Sequence, residues 1–281
     1  MNDTRDIVAK ADRLPPIPKV VQQVLALVEN PEFSFRQLME LVRLDPAITA
    51  HVLKMCNSPY YGLVRKVSSL EEALTFLGAK QVVEIVLGSQ VVGHYKRSQE
   101  GYGLSQGDLW RHSMTAALFS QKLAEMAGFV DRATLFTAAL LHDVGKLVLN
   151  EFVGEQYREI LEMVEREGVP FVEAERQILG VDHAVLGALV ARRWNFPDPI
   201  VKAIGKHHQA VEGGDQLTAL VELSDMFCIT LGVGVGINGL AAPAPPDLWE
   251  RAGIDRRKRD ILLLDMKDIL SGAQDMLSMA D

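Results

Sequence analysis

The sequence predicts an all-α protein, and three observations carry that expectation. Apolar residues recur at helical spacing along most of the chain, no stretch alternates with period two between turn signals, and helix start and stop signals are dense. With 281 residues, 48% of them apolar and 23% charged, the chain can bury a sizeable core in one or two domains of roughly 100–200 residues.

The first helix is expected within 14–31, where Pro18 suits a first-turn position, Val21, Val24, Leu25 and Val28 share a face, and Pro31 stops the run. Ser34-x-x-Gln37 spells a capping box before "LMELVRL". Asp45-Pro46 supplies an N-cap and first turn for "AITAHVLKMC", which Asn57-Ser58-Pro59 ends. Ser69, followed by Glu71 and Glu72, starts another helix that Gly78 is placed to close. The Gly-, Ser- and charge-rich stretch 96–108 marks a domain boundary, dividing an N-terminal part (1–97) from a C-terminal one (105–281). Beyond it, Ser105-x-x-Asp108 caps a long helix to about Gly128, and "DRATLFTAALLHDVGK" reads as the next. Further helices are expected over about 151–167, 171–179, 183–194, 198–208 and 215–231, with an amphipathic one closing the chain from Arg256.

Several classes of function are disfavoured. The net charge of −8 does not suit a phosphate-coating surface, and the compact basic run Arg256-Arg257-Lys258-Arg259 reads as a solvated helix face, so nucleic acid is not an expected partner. Cys56 and Cys228 stand far apart with no CxxC, which removes a disulfide framework and a thiolate zinc knot and suits a reducing cytoplasm. No signal-peptide core and no run of ~18 apolar residues is present, so no membrane span is expected. Gly234-x-Gly236-x-x-Gly239 matches the dinucleotide fingerprint in letters only, since a helix precedes it and "AAPAPP" follows; a loop is expected.

Histidine usage is the informative feature. Five of the seven, His112, His142, His183, His207 and His208, fall beyond the boundary in otherwise apolar or small-residue surroundings, joined by Asp143 and Asp225. Burying each imidazole or carboxylate without a partner is costly, whereas a shared cation satisfies them together. Imidazole and carboxylate ligands suit Fe, Mn, Zn, Co or Ni. On a helix, neighbouring residues point about 100° apart, so His142-Asp143 and His207-His208 each offer a double ligand, and a carboxylate can bridge; two divalent ions are expected rather than one. Such a pair lowers the pKa of water and clamps phosphoryl oxygens. Lys146, on the same helical face as His142 and Asp143, either meets a substrate phosphate or pairs with Asp143, and Asp143 and Lys146 are the candidate catalytic residues.

The ordered series "RHSMTAALFSQKLA…AALLHDVGKLVL…DHAVLGALVARRW…KHH…LSD", over about 108–231, resembles the HD superfamily of metal-dependent phosphohydrolases. Leu14-Pro15-Pro16, Asp45-Pro46, Asn57-Ser58-Pro59 and Leu77-Gly78 in the first half resemble the recurring features of HDOD proteins. The resemblance implies a bacterial signalling or output module, a helical N-terminal bundle packed on an HD-type helical domain, with His112, His142, Asp143, His183, His207, His208 and Asp225 as the metal ligands. Many HDOD proteins have lost those ligands and act as non-catalytic regulators; this chain keeps one at each position used by the related HD-GYP phosphodiesterases, but "QAVEGGDQ" follows His207-His208 where Gly-Tyr-Pro would stand. Two functions are therefore expected as alternatives. One is a metal-dependent phosphohydrolase or phosphodiesterase acting on a phosphorylated small molecule or cyclic nucleotide. The other is a regulatory module with a structural or ligand-sensing metal that binds signalling proteins.

Overall fold

The computed structural model describes residues 33–43, 46–57, 65–95, 97–209, 215–236 and 247–262, with a few isolated positions besides. Among them every regular element is helical, apart from an isolated bridge between Gln99 and Leu104, so the all-α expectation holds. The chain forms two compact units, residues 16–92 and residues 93–264 each belonging to one.

In the unit of residues 16–92, α1 (Phe35–Arg43) buries Leu38 and Val42, one helical turn apart. Its capping box is made: the Gln37 amide donates to Ser34 Oγ (3.3 Å) and the Ser34 amide to Gln37 Oε1 (2.9 Å). Helix α2 (Pro46–Cys56) starts at the expected proline; its proposed cap, Asp45, lies outside the described residues, as do Leu14-Pro15-Pro16 and Ser58-Pro59. Asn57 terminates α2 by pinning the following loop, giving Nδ2–H to the carbonyls of Leu53 and Val67 and accepting the Val67 amide at 2.7 Å. Ser69 Oγ caps the next helix, α3 (Leu70–Tyr95), by accepting from the Glu72 amide. Gly78 does not close α3; it bends it, with φ 78° and ψ 162°, and helix resumes beyond. The apolar periodicity runs on past the glycine through Val82, Val83 and Val86, and their burial sustains a second helical stretch.

The unit of residues 93–264 carries most of the helices. A 3₁₀ turn, Glu100–Tyr102, lies within the Gly-rich stretch and is followed by α4 (Asp108–Ala127), α5 (Arg132–Leu141), α6 (Lys146–Glu167), α7 (Phe171–Leu179), α8 (His183–Arg193), α9 (Asp198–Lys206), α10 (Gln216–Thr230) and the short α11 (Leu248–Arg251). Ser105 does not cap α4 with its hydroxyl: Gly107 holds the N-cap position, and Asp108 reaches back to accept the Ser105 amide (2.8 Å). Asp131, Asp182 and Asp215 cap α5, α8 and α10. Helix α4 packs on α5 and α10, while α9 packs on α5, α8 and α10. The run expected as one helix through Lys146 is broken: α5 stops at Leu141, residues 142–145 form a turn, and α6 begins at Lys146. At the break the backbone is tightly packed: a Cβ on Gly145 would lie 1.9 Å from the His183 carbonyl oxygen, so only glycine lets the turn touch α8 directly.

Candidate metal centre

All seven candidate ligands, and Lys146, lie in one unit and converge. His112 comes from α4, His142 and Asp143 from the turn after α5, His183 from the first position of α8, His207 and His208 from the end of α9, and Asp225 from the middle of α10. Of the remaining features, Arg256–Arg259 starts a helix near the C-terminus, away from the cluster, whereas in the described part of the GxGxxG stretch Gly234 packs against Asp108 and His112 of α4 and Gly236 against Tyr102 and Leu104.

Four rings are held by their Nδ1 atoms. His112 Nδ1 donates to the Val233 carbonyl (2.9 Å), His142 Nδ1 to Ala139 (2.6 Å), His207 Nδ1 to Ile204 (2.7 Å) and His183 Nδ1 to Glu175 Oε2 (2.6 Å). Each acceptor fixes the ring tautomer and leaves Nε2 facing the centre. Asp143 sits between them. Its Oδ2 is 3.6 Å from His112 Nε2, 3.4 Å from His142 Nε2 and 2.6 Å from Lys146 Nζ, whereas Oδ1 is 3.4 Å from His183 Nε2 and 4.0 Å from His207 Nε2. Asp225 Oδ1 lies 2.9 Å from His112 Nε2, and His208 Nε2 meets His183 Nε2 at the same distance.

The electrostatics follow from burying two carboxylates. Burial opposes ionisation of Asp143, but Lys146 and His142 outweigh it and hold the carboxyl well below its usual range; His112 and His142 do the same for Asp225. Burial pulls His142 down, yet Asp143 and then Asp225 drive its ring up to about 10. His207 has no such support: burial, then the charges of His142 and His183, lower it to about 3, and His208 is likewise held neutral. Two negative charges are thus balanced by Lys146 and the His142 ring, and a cation held in the cluster would take over the role of the ring proton.

The donor set fits a metal. His142 Nε2, His207 Nε2 and Asp143 Oδ1 are buried without a hydrogen-bond partner. Three groups have ligand atoms within 4.8 Å of one another and could hold an ion: His112/His142/Asp225, His183/His207/His208, and His142/Asp143/His207. Cys228 is turned away, its thiol donating to the His112 carbonyl.

Sequence reasoning missed Glu175, Tyr102 and the Val233 carbonyl. Glu175 had a readable signal, an acid on the apolar face of α7 beside Phe171, Ala174 and Leu179; Val233, which acts through its backbone, had none.

A model of the HDOD domain matches residues 14–210. The crystal structure of an HDOD domain protein of unknown function from Geobacter sulfurreducens superposes with a TM-score of 0.79 at 24% identity, covering 98% of this chain and 99% of that one. A protein of Shewanella amazonensis SB2B, provisionally named a phosphohydrolase, gives 0.76 at 24% identity with 98% of each chain covered. These likenesses establish the fold. An uncharacterized protein of Treponema pallidum (strain Nichols) is 24% identical over 218 residues, 76% of this chain; the alignment spans 41% of that longer protein. Among the described residues, no helix is long and apolar enough to cross a membrane.

Proposed function

The chain belongs to the HDOD domain family, and on that premise we propose that it holds two divalent transition-metal ions, one on either side of Asp143, and hydrolyses a phosphoester of a nucleotide or similar small molecule in bacterial signalling. The division of the Asp143 oxygens carries this reading: Oδ2 faces His112 and His142 while Oδ1 faces His183 and His207. Asp225 completes the first set and His208 the second. Fe, Mn, Zn, Co or Ni suits such ligands and supplies an acidified water and a clamp for phosphoryl oxygens. The chain's own part is to bind and to exclude water. Leu140, Leu141 and Val144 wall the turn, and Lys146 neutralises Asp143 instead of reaching outward. His208, with 20% of its side chain exposed, marks the edge a substrate meets first.

One observation favours the second reading, a regulatory module in which the metal is structural or ligand-sensing. The other six ligand side chains are no more than 4% exposed. The experiment is elemental analysis of chain purified without chelator, followed by a phosphoester and cyclic-dinucleotide screen with Mn or Fe. Turnover that vanishes with the metal in His142→Ala and Asp143→Ala supports the hydrolase; bound metal and a tightly bound ligand without turnover support the module. A metal-free native protein overturns both.

A further inference from the structure

The two ligand sets differ in charge. His112/His142 has Asp225 in direct contact, whereas His183/His207/His208 is all imidazole and on its inner face meets carboxylate oxygens only at longer range, Asp143 Oδ1 at 3.4 Å from His183 and Asp225 Oδ2 at 3.9 Å from His208. Glu175 stands directly behind the second set. It is fully buried on α7, and its Oε2 accepts both the His183 amide (3.0 Å) and His183 Nδ1–H (2.6 Å). Its Oε1 accepts the Tyr102 hydroxyl at 2.5 Å. Three donors and no acceptor around one carboxyl group describe a carboxylate. Burial, then Glu175, push the Tyr102 phenol well above its ordinary range, so it remains a donor. Tyr102 is itself fixed by the 3₁₀ turn, where the Gly101 amide donates to Asn150 Oδ1 (2.9 Å). Its ring lies 5.7 Å from Lys146 Nζ, so the same wall borders the Asp143 ion pair.

A capping role does not account for Glu175. The start of α8 is already capped by Asp182, which accepts from the Val185 amide at 2.8 Å, and Arg176 is taken up by Asp182 and Glu173. Among the described residues, the ion-pair partner of Glu175 is His183. A buried carboxylate whose charge is shared with an imidazole makes that imidazole a better ligand and locks its orientation.

We propose that Glu175, held by Tyr102, is a positioning residue for the imidazole side of the centre, aiming His183 Nε2 inward and lending that side negative charge. This rests on the two-ion reading above, and the test separates the two. Full-length wild type and the variants Glu175→Gln, Glu175→Ala and Tyr102→Phe are stripped of metal and titrated with Zn²⁺ against a chromophoric competitor, with helicity followed in parallel. Wild type shows two binding steps. Glu175→Ala weakens one of them by about 10- to 100-fold and leaves the other in place; Glu175→Gln, which keeps the volume and an acceptor, and Tyr102→Phe weaken that same step by less. A residue with only a structural role moves both steps or neither. Folded Glu175 and Tyr102 variants that bind both ions as wild type does overturn the proposal, as does equal weakening of both steps. A wild type that binds no Zn²⁺ overturns the two-ion reading instead. Should Glu175→Ala fail to fold, the isosteric Glu175→Gln and the single-hydroxyl change in Tyr102→Phe decide the question.

Discussion

On the side of Asp143 that faces His112 and His142, negative charge is built in: Asp225 lies 2.9 Å from His112 Nε2, and the His142 ring is raised to about 10. On the side that faces His183, His207 and His208, the rings crowd one another, His207 falls to about 3, and carboxylate support comes from Glu175 through the back of His183. Both sides therefore turn ring nitrogens toward Asp143, but in opposite charge states: His142 carries a proton beside the carboxylates, and His207 and His208 are neutral. One pays in carboxylate desolvation, and the other keeps its rings neutral by burial. Residues shared by the two sides should affect both, and residues belonging to one should affect that one alone.

Asp143 is shared, and its loss has the largest expected effect. Asp143→Ala strands the buried Lys146 ammonium, and a broken buried pair of this kind costs about 3–5 kcal/mol. The urea midpoint should drop accordingly in the presence of chelator, and metal should be lost from both sides; a variant that keeps one full ion would break the comparison. Gly145→Ala should come next. Its Cβ would clash with the His183 carbonyl and Gly187 amide, a strain on the order of 1–3 kcal/mol or more, and both sides should lose affinity as the turn shifts.

Glu222 tests the influence of α10, the helix that carries Asp225. Burial, partly offset by Arg251 and reinforced by Asp225, raises this carboxyl from 4.5 to about 7. Because the folded form holds the proton more tightly than the unfolded one, its contribution is fully present below about pH 4.5 and is lost as pH rises through about 7. Glu222→Gln should flatten that decline by on the order of 1–2 kcal/mol between pH 5 and 8, read from thermal melts across the range. The smallest stability effect is expected at the exposed edge. His208→Ala should stay within about 1 kcal/mol of wild type in chelator while weakening the imidazole-side ion alone, which metal analysis at limiting Zn²⁺ would show.

Much of this was legible because local chemistry leaves marks in the sequence. Ser34-x-x-Gln37 forms the bonds its letters spell, and Ser69 caps as such a residue does. The imidazoles and carboxylates stood out because they interrupt apolar helical patterns that would otherwise bury them unpartnered. The turn at 142–145 did not stand out, since Ala138 to Leu149 keeps an apolar helical rhythm and the helix the turn packs against, α8, lies more than thirty residues away. For the same reason, Gly78 looked like an ending when buried residues beyond it sustain the helix. Tyr102 lay inside a stretch whose composition suggested only a boundary, and its function depends on an acid in α7 that it meets in space.

Two of the ligands are also the final caps of helices: His142 follows α5 and His207 follows α9. Each helix ends with its dipole's negative pole directed near the cluster, equivalent to about half an elementary charge. Together with Asp143 and Asp225, these poles favour a cation beside the two rings. On the function proposed above, the ion would have to enter before any phosphorylated molecule could dock.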